Sequence, residues 1–130
     1  AKAALDSATL GSGQFCTKPG IMVIPTSPEG DEFLTHVESY LSTLQVAPLL
    51  NKGIADRYSS AISKLATDAK LKVFRGQENQ NGFGVVPTVF VVDWESAKAN
   101  HELLEEHFGP TSVIIRTDFK NFDNFENFMY

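Results

Sequence analysis

Only one cysteine is present, and it lies in a glycine-bracketed segment: Gly11-Ser12-Gly13-Gln14-Phe15-Cys16-Thr17-Lys18-Pro19-Gly20. A cysteine thiolate attacks electrophilic carbon, so Cys16 is the candidate nucleophile. Gly11 and Gly13 carry no side chain, which lets backbone pass close to a ligand. The Cys16 N–H is then free to help hold an oxyanion at the attacked carbon. Lys18 follows closely, and its positive charge would favour the thiolate. Each residue also has a plainer reading. A lone cysteine often packs as a small hydrophobe, the glycines can serve a turn, and Lys18 can be a solvated surface side chain. His36, His101 and His107 show no metal-ligand spacing with Cys16, so no metal site is expected. Gly82-Phe83-Gly84 is followed by a strand signal rather than a capped helix, which argues against a phosphate loop.

The elements that must position this thiol read as alternating strands and helices. Residues 3–10 suggest a short apolar helix or coil. Residues 21–24 form an apolar run closed by Pro25, as in a buried strand. Ser27 then offers an N-cap, Pro28 a first helical residue, and Glu29 and Asp31 an acidic first turn. Phe33, Val37, Tyr40, Leu41 and Leu44 fall on one face of the predicted helix. Asn51 caps a second helix, with Ile54, Tyr58, Ala61, Ile62 and Leu65 on its apolar face. Residues 70–74 and 112–116 are strand candidates. Residues 87–92, Pro-Thr-Val-Phe-Val-Val, are rich in β-branched side chains and read as a strand. Residues 95–106 suggest a short helix followed by an extended piece, and residues 123–129 the start of a further helix. Alternation of this kind predicts an α/β fold, a layered and mainly parallel sheet flanked by helices.

The 130 residues suit one domain, with no linker and no internal repeat. Hydrophobic residues make up 42% and charged residues 21%, a globular balance. The net charge of −5 lacks the basic stripe a nucleic-acid partner would need. No apolar run is long enough to span a bilayer and no secretory signal is visible. A single cysteine excludes an internal disulfide and fits a cytoplasmic location. The chain starts at Ala1 and stops at Tyr130, and both ends read as cuts in a longer protein.

Three segments, in order, resemble the aldehyde dehydrogenase superfamily. Gly13-Gln14-Phe15-Cys16-Thr17-Lys18-Pro19-Gly20 is similar to its nucleophile loop. Gly84-Val85-Val86-Pro87-Thr88-Val89-Phe90 is similar to a strand entry. Glu105-Glu106-His107-Phe108-Gly109-Pro110 is similar to its Glu-x-Phe-Gly-Pro motif. The Thr-x-Pro-Gly after the cysteine looks most like the branch of 2,5-dioxovalerate (α-ketoglutarate semialdehyde) dehydrogenases and NADP-dependent fatty aldehyde dehydrogenases. The resemblance covers the chain from Leu10 onward.

That resemblance implies the following roles. Cys16 attacks an aldehyde to give a thiohemiacetal, hydride leaves to a nicotinamide, and water cleaves the thioester. The Cys16 N–H belongs to the oxyanion hole. Glu106 accepts the nicotinamide ribose hydroxyls, as an ionised carboxylate can, and Phe108 packs at the nicotinamide end. Gly109 and Pro110 fix the turn that presents both. Phe15 and Thr17 flank the thiol and shape the substrate pocket. On residue types alone, Glu106 would be one of several solvated acids and Phe108 a core aromatic. The implied cofactor is NADP or NAD, with the branch favouring NADP, and the implied substrate is a small-molecule aldehyde such as a semialdehyde. Residues 1–130 would be part of the catalytic domain. The coenzyme domain, the general base and the oxyanion-hole amide would all lie upstream, so the piece alone is expected to be inactive. Its uncovered apolar faces would favour a homo-oligomer. Two rival readings remain: a non-catalytic module of the same fold, and an unrelated enzyme pairing Cys16 with a histidine.

Overall fold

The computed structural model describes residues 1–118, so the helix expected over residues 123–129 lies outside the described residues. Four strands form one sheet in the order β1 (Ile21–Pro25), β4 (Thr111–Thr117), β3 (Thr88–Asp93), β2 (Lys72–Arg75). β4 pairs in parallel with both β1 and β3, while β2 joins as an antiparallel edge. The fold is α/β with a mainly parallel sheet between helices, as the alternation predicts.

Helices cover both faces. α1 (Lys2–Thr9) and α2 (Pro28–Thr43) lie on one side, where Leu5, Val37 and Leu41 meet Phe74, Val89, Val91 and Ile114. α3 (Lys52–Leu65) and α4 (Trp94–Ala99) lie on the other, where Tyr58, Ile62, Leu65, Trp94 and Ala97 meet Phe90, Val92, Val113 and Ile115. Successive strand residues thus feed opposite cores, as the two-residue period of a strand requires. Strands buried on both faces must be apolar throughout, which explains the unbroken Val-Phe-Val-Val and Val-Ile-Ile runs.

The predicted caps form. Ser27 Oγ accepts from the Gly30 N–H at 3.2 Å, and Asn51 Oδ1 accepts from the Ile54 N–H at 3.0 Å. α4 starts at Trp94, capped by Asp93, whose Oδ1 accepts from the Ser96 N–H at 2.9 Å. The sequence places this helix one residue late because Asp93 also ends β3. The extended piece expected before residue 106 begins instead as a 3-10 turn, His101–Leu104, with Leu103 buried. Residues 70 and 71 belong to the turn into β2 rather than to the strand, since the Leu71 N–H donates to the Asp68 carbonyl at 3.1 Å.

Candidate active site

Topology brings Cys16 and Glu106 together. Cys16 lies in the loop that enters β1, and Glu106 in the loop that enters β4. These strands are neighbours and parallel, so both loops emerge at the same end of the sheet. This is the amino end of the strands. Open α/β sheets usually bind ligands beyond the carboxyl ends, so the site is made by the loops, not by the general geometry of the sheet.

The Cys16 loop owes its shape to a left-handed stretch. Gly11, Ser12 and Gly13 have φ of 56°, 59° and 68°, and Ser12 Oγ donates to the Ala47 carbonyl at 2.7 Å. A non-glycine residue at positive φ costs strain, and this bond offsets it. A Cβ on Gly13 would lie 2.1 Å from the Gly109 carbonyl oxygen. Absence of a side chain at Gly13 therefore admits the chain's own backbone: the Gly109 N–H donates to the Gly13 carbonyl at 3.2 Å. Likewise, the space beside Gly11 is filled by the Phe15 ring. The expectation that these glycines make room for a ligand is replaced by close packing of loop on loop and ring on backbone.

Further bonds join the two loops. The Val113 N–H donates to the Gly20 carbonyl at 2.9 Å, and Ser112 Oγ to the Pro19 carbonyl at 2.6 Å. Lys18 Nζ donates to the carbonyls of His107, Gly109 and Thr111 at 2.5, 2.6 and 3.0 Å. The solvated-surface reading of Lys18 does not hold. Burial lowers its pKa to about 8, with the nearby Glu106 charge opposing the shift. From the other side, the Tyr58 hydroxyl lies 2.8 Å from the Val86 carbonyl and 3.0 Å from that of Pro110. Its single proton serves both, and burial pushes its pKa well above the usual phenol value.

The result is a pair of open clefts on either side of the Glu106 loop. One, of about 360 Å³, is lined by Cys16, Lys18, Leu104, Glu106 and His107 among others. The second, of about 310 Å³, is lined by Ile54, Arg57, Tyr58, Glu106, His107 and Phe108 among others. Cys16 is free and exposed. Glu106 is exposed as well, as a solvated acid would also be, and Phe108 is 41% exposed, so Phe108 is not a plain core residue. The structure thus brings Cys16 and Glu106 into one cleft and puts Phe108 in the adjoining one.

Phe15 and Thr17 are exposed beside the thiol in sequence but line neither cleft. His107 lines both, although its Nε2 sits 3.0 Å from the Glu102 carbonyl. Sequence reasoning assigned it no chemistry, and it also passed over Arg57. The signal for Arg57 was available only in combination, from its position one residue before Tyr58 on a helix facing the Glu106 motif. Among the described residues no cluster could hold a metal ion.

A family model described as the aldehyde dehydrogenase family matches residues 1–126. The chain belongs to the aldehyde dehydrogenase family. An alpha-ketoglutaric semialdehyde dehydrogenase 2 of Azospirillum brasilense is 33% identical over 113 residues, covering 86% of this chain and 22% of that protein. The chain therefore spans about a fifth of that relative's length. A proline utilization A protein of Bradyrhizobium japonicum shares the fold, with a TM-score of 0.82 at 21% identity over 97% of this chain and 13% of its own. PnpE, solved in complex with nicotinamide adenine dinucleotide, aligns with a TM-score of 0.75 at 22% identity over 90% of this chain and 26% of its own. No helix among the described residues is long and apolar enough to cross a membrane.

Proposed function

We propose that residues 1–130 form the nucleophile-bearing part of an NAD(P)-dependent aldehyde dehydrogenase, with Cys16 as the nucleophile and a semialdehyde such as 2,5-dioxopentanoate as substrate. The observation that carries this reading is the meeting of Cys16 and Glu106, far apart in sequence, in one cleft of about 360 Å³. The semialdehyde assignment rests on the Azospirillum brasilense relative, which is named for that chemistry, and on the Thr17-Lys18-Pro19-Gly20 segment after the cysteine.

In this reading the Cys16 thiolate adds to the aldehyde carbon and forms a thiohemiacetal. The Cys16 N–H stabilises the oxyanion as charge develops. Loss of hydride leaves a thioester on Cys16, which water cleaves to the carboxylate. The residues present fit a nicotinamide nucleotide. Glu106 offers an exposed, acceptor-only carboxylate for two ribose hydroxyls, and Phe108 offers an exposed apolar ring beside it. When bound, that cofactor supplies the hydride acceptor. The branch similarity favours NADP over NAD. The rest of the cofactor site, the base that activates water and the side-chain oxyanion donor belong to other parts of the protein, so these 130 residues alone have no dehydrogenase activity.

The test is aldehyde-dependent reduction of NAD and NADP by the complete protein, with and without Cys16→Ser. Oxidation of a semialdehyde with at least about a thousandfold loss in the serine variant is expected, the scale for removing a covalent nucleophile. Retention of the rate by the variant, or inactivity of the complete protein across a broad aldehyde panel, sinks the reading and brings forward a non-catalytic module.

A further inference from the structure

Lys18 is unlike the ion-paired lysines elsewhere in the chain. Lys2, Lys52, Lys64 and Lys98 each face a carboxylate, with side chains 40–75% exposed. Lys18 Nζ is directed instead into the backbone, onto the carbonyls of His107, Gly109 and Thr111. An ammonium has three donors and no lone pair. All three donors are thus engaged, and a part-buried cation is compensated by carbonyl dipoles. The same saturation argues against Lys18 as a proton acceptor in the cleft, since the role would need a free lone pair.

The three acceptors alternate along one segment, and that segment follows directly on Glu106 and encloses Phe108. The turn contains Gly109 at φ 130°, a conformation that a short loop does not hold by intrinsic preference. Beyond Lys18, it is fixed by the Gly109 bond to Gly13 and by the Tyr58 hydroxyl at Pro110. Only Lys18 does this from the loop of Cys16 through a side chain, two residues from the thiol. The distance between the two loops is thereby set over a very short lever.

We propose that Lys18 is a positioning residue: by binding the carbonyls of His107, Gly109 and Thr111 it fixes Glu106 and Phe108 relative to Cys16, and so sets the docking of the nicotinamide end of the cofactor. The inference rests on the reading of Cys16 and Glu106 above.

In the complete protein, Lys18→Met raises the KM for NAD or NADP at least about tenfold, the scale of a lost charge-assisted bond set. Alkylation of Cys16 by iodoacetamide without cofactor stays within about threefold, because the thiol remains exposed and only its spacing to Glu106 changes. A cofactor KM within about twofold of the parent value overturns the proposal, and so does an alkylation rate that falls in step with cofactor affinity. Should that variant not fold, Lys18→Arg decides: a planar guanidinium keeps the charge but cannot place three donors on these carbonyls as the ammonium does, so the cofactor KM again rises at least about tenfold, and a KM within about twofold of the parent value overturns the proposal. Cys16→Ser separates the two layers. If that variant still oxidises aldehyde, the nucleophile reading fails; if it is dead while Lys18→Met matches the parent, only the role of Lys18 fails.

Discussion

Lys18 ties the chemistry of one residue to the stability of the fold. Its pKa falls from 10.5 to about 8, first because it is buried, with Glu106 opposing. Cys16, Glu105, Glu106 and His107 line the same cleft, and Tyr58 packs behind Gly109. Below pH 8 both folded and unfolded chains hold the proton, and burial of the charge costs stability. Between pH 8 and 10.5 the unfolded chain still holds a proton that the folded chain has released, so this residue's contribution rises with pH. Urea midpoints of the chain and of Lys18→Met, followed from pH 7 to 10.5, should therefore diverge in favour of the parent as pH rises. A constant gap across that range would remove the linkage. The residue scale also shows what a sequence hides. Cys16 and Glu106 were legible because their motifs carry them. The anchoring of Lys18 was not, because its acceptors are backbone carbonyls distant in sequence, and a carbonyl has no residue type. Phe15 and Thr17 were singled out by adjacency to the thiol along the chain, and what the fold adds is that the Phe15 ring lies against Gly11.

At the scale of elements, the local signals were the reliable ones. Ser27-Pro28 and Asn51 started their helices where capping chemistry demands. The apolar runs became strands, and β4 took the central place where both faces are covered. The strand order was not legible, because β1 and β4 pair across most of the chain and nothing local encodes that partnership. Yet this pairing is what delivers the Cys16 and Glu106 loops to one sheet end. Ile115 on β4 is fully buried against the α3 side, so Ile115→Ala should cost about 2–5 kcal/mol. Ser27→Ala, which removes the cap bond at a part-buried helix start, should cost about 1 kcal/mol. Chemical denaturation compares the two directly. Equal costs would show that the central strand contributes no more to the fold than one helix cap.

For the whole molecule, the uncovered surface carries the argument. Leu10 and Leu50 are 65% and 78% exposed, and Phe15 and Phe83 are exposed as well. These side chains do not scatter at random. Leu10 and Phe15 belong to the stretch leading to Cys16, Gln14 Oε1 accepts from the Leu50 N–H at 2.9 Å, and the Leu49 N–H donates to the Phe83 carbonyl at 3.0 Å. The bonds place the Leu50 backbone beside the Cys16 loop and the Phe83 backbone next to Leu49, so these exposed apolar residues are carried on neighbouring segments. Exposed apolar side chains on a small domain favour association. Because the chain covers 22% of its Azospirillum brasilense relative, we propose that other parts of the complete protein cover this surface. The 130 residues alone should then associate in solution, and light scattering at rising concentration should report a mass above 14.3 kDa. Leu10→Ser with Leu50→Ser should return the monomer while leaving the sheet intact, since neither side chain belongs to the two cores. A parent chain that stays monomeric throughout would mean these exposed side chains are too few to drive association. Association that survives both substitutions would place the contact elsewhere.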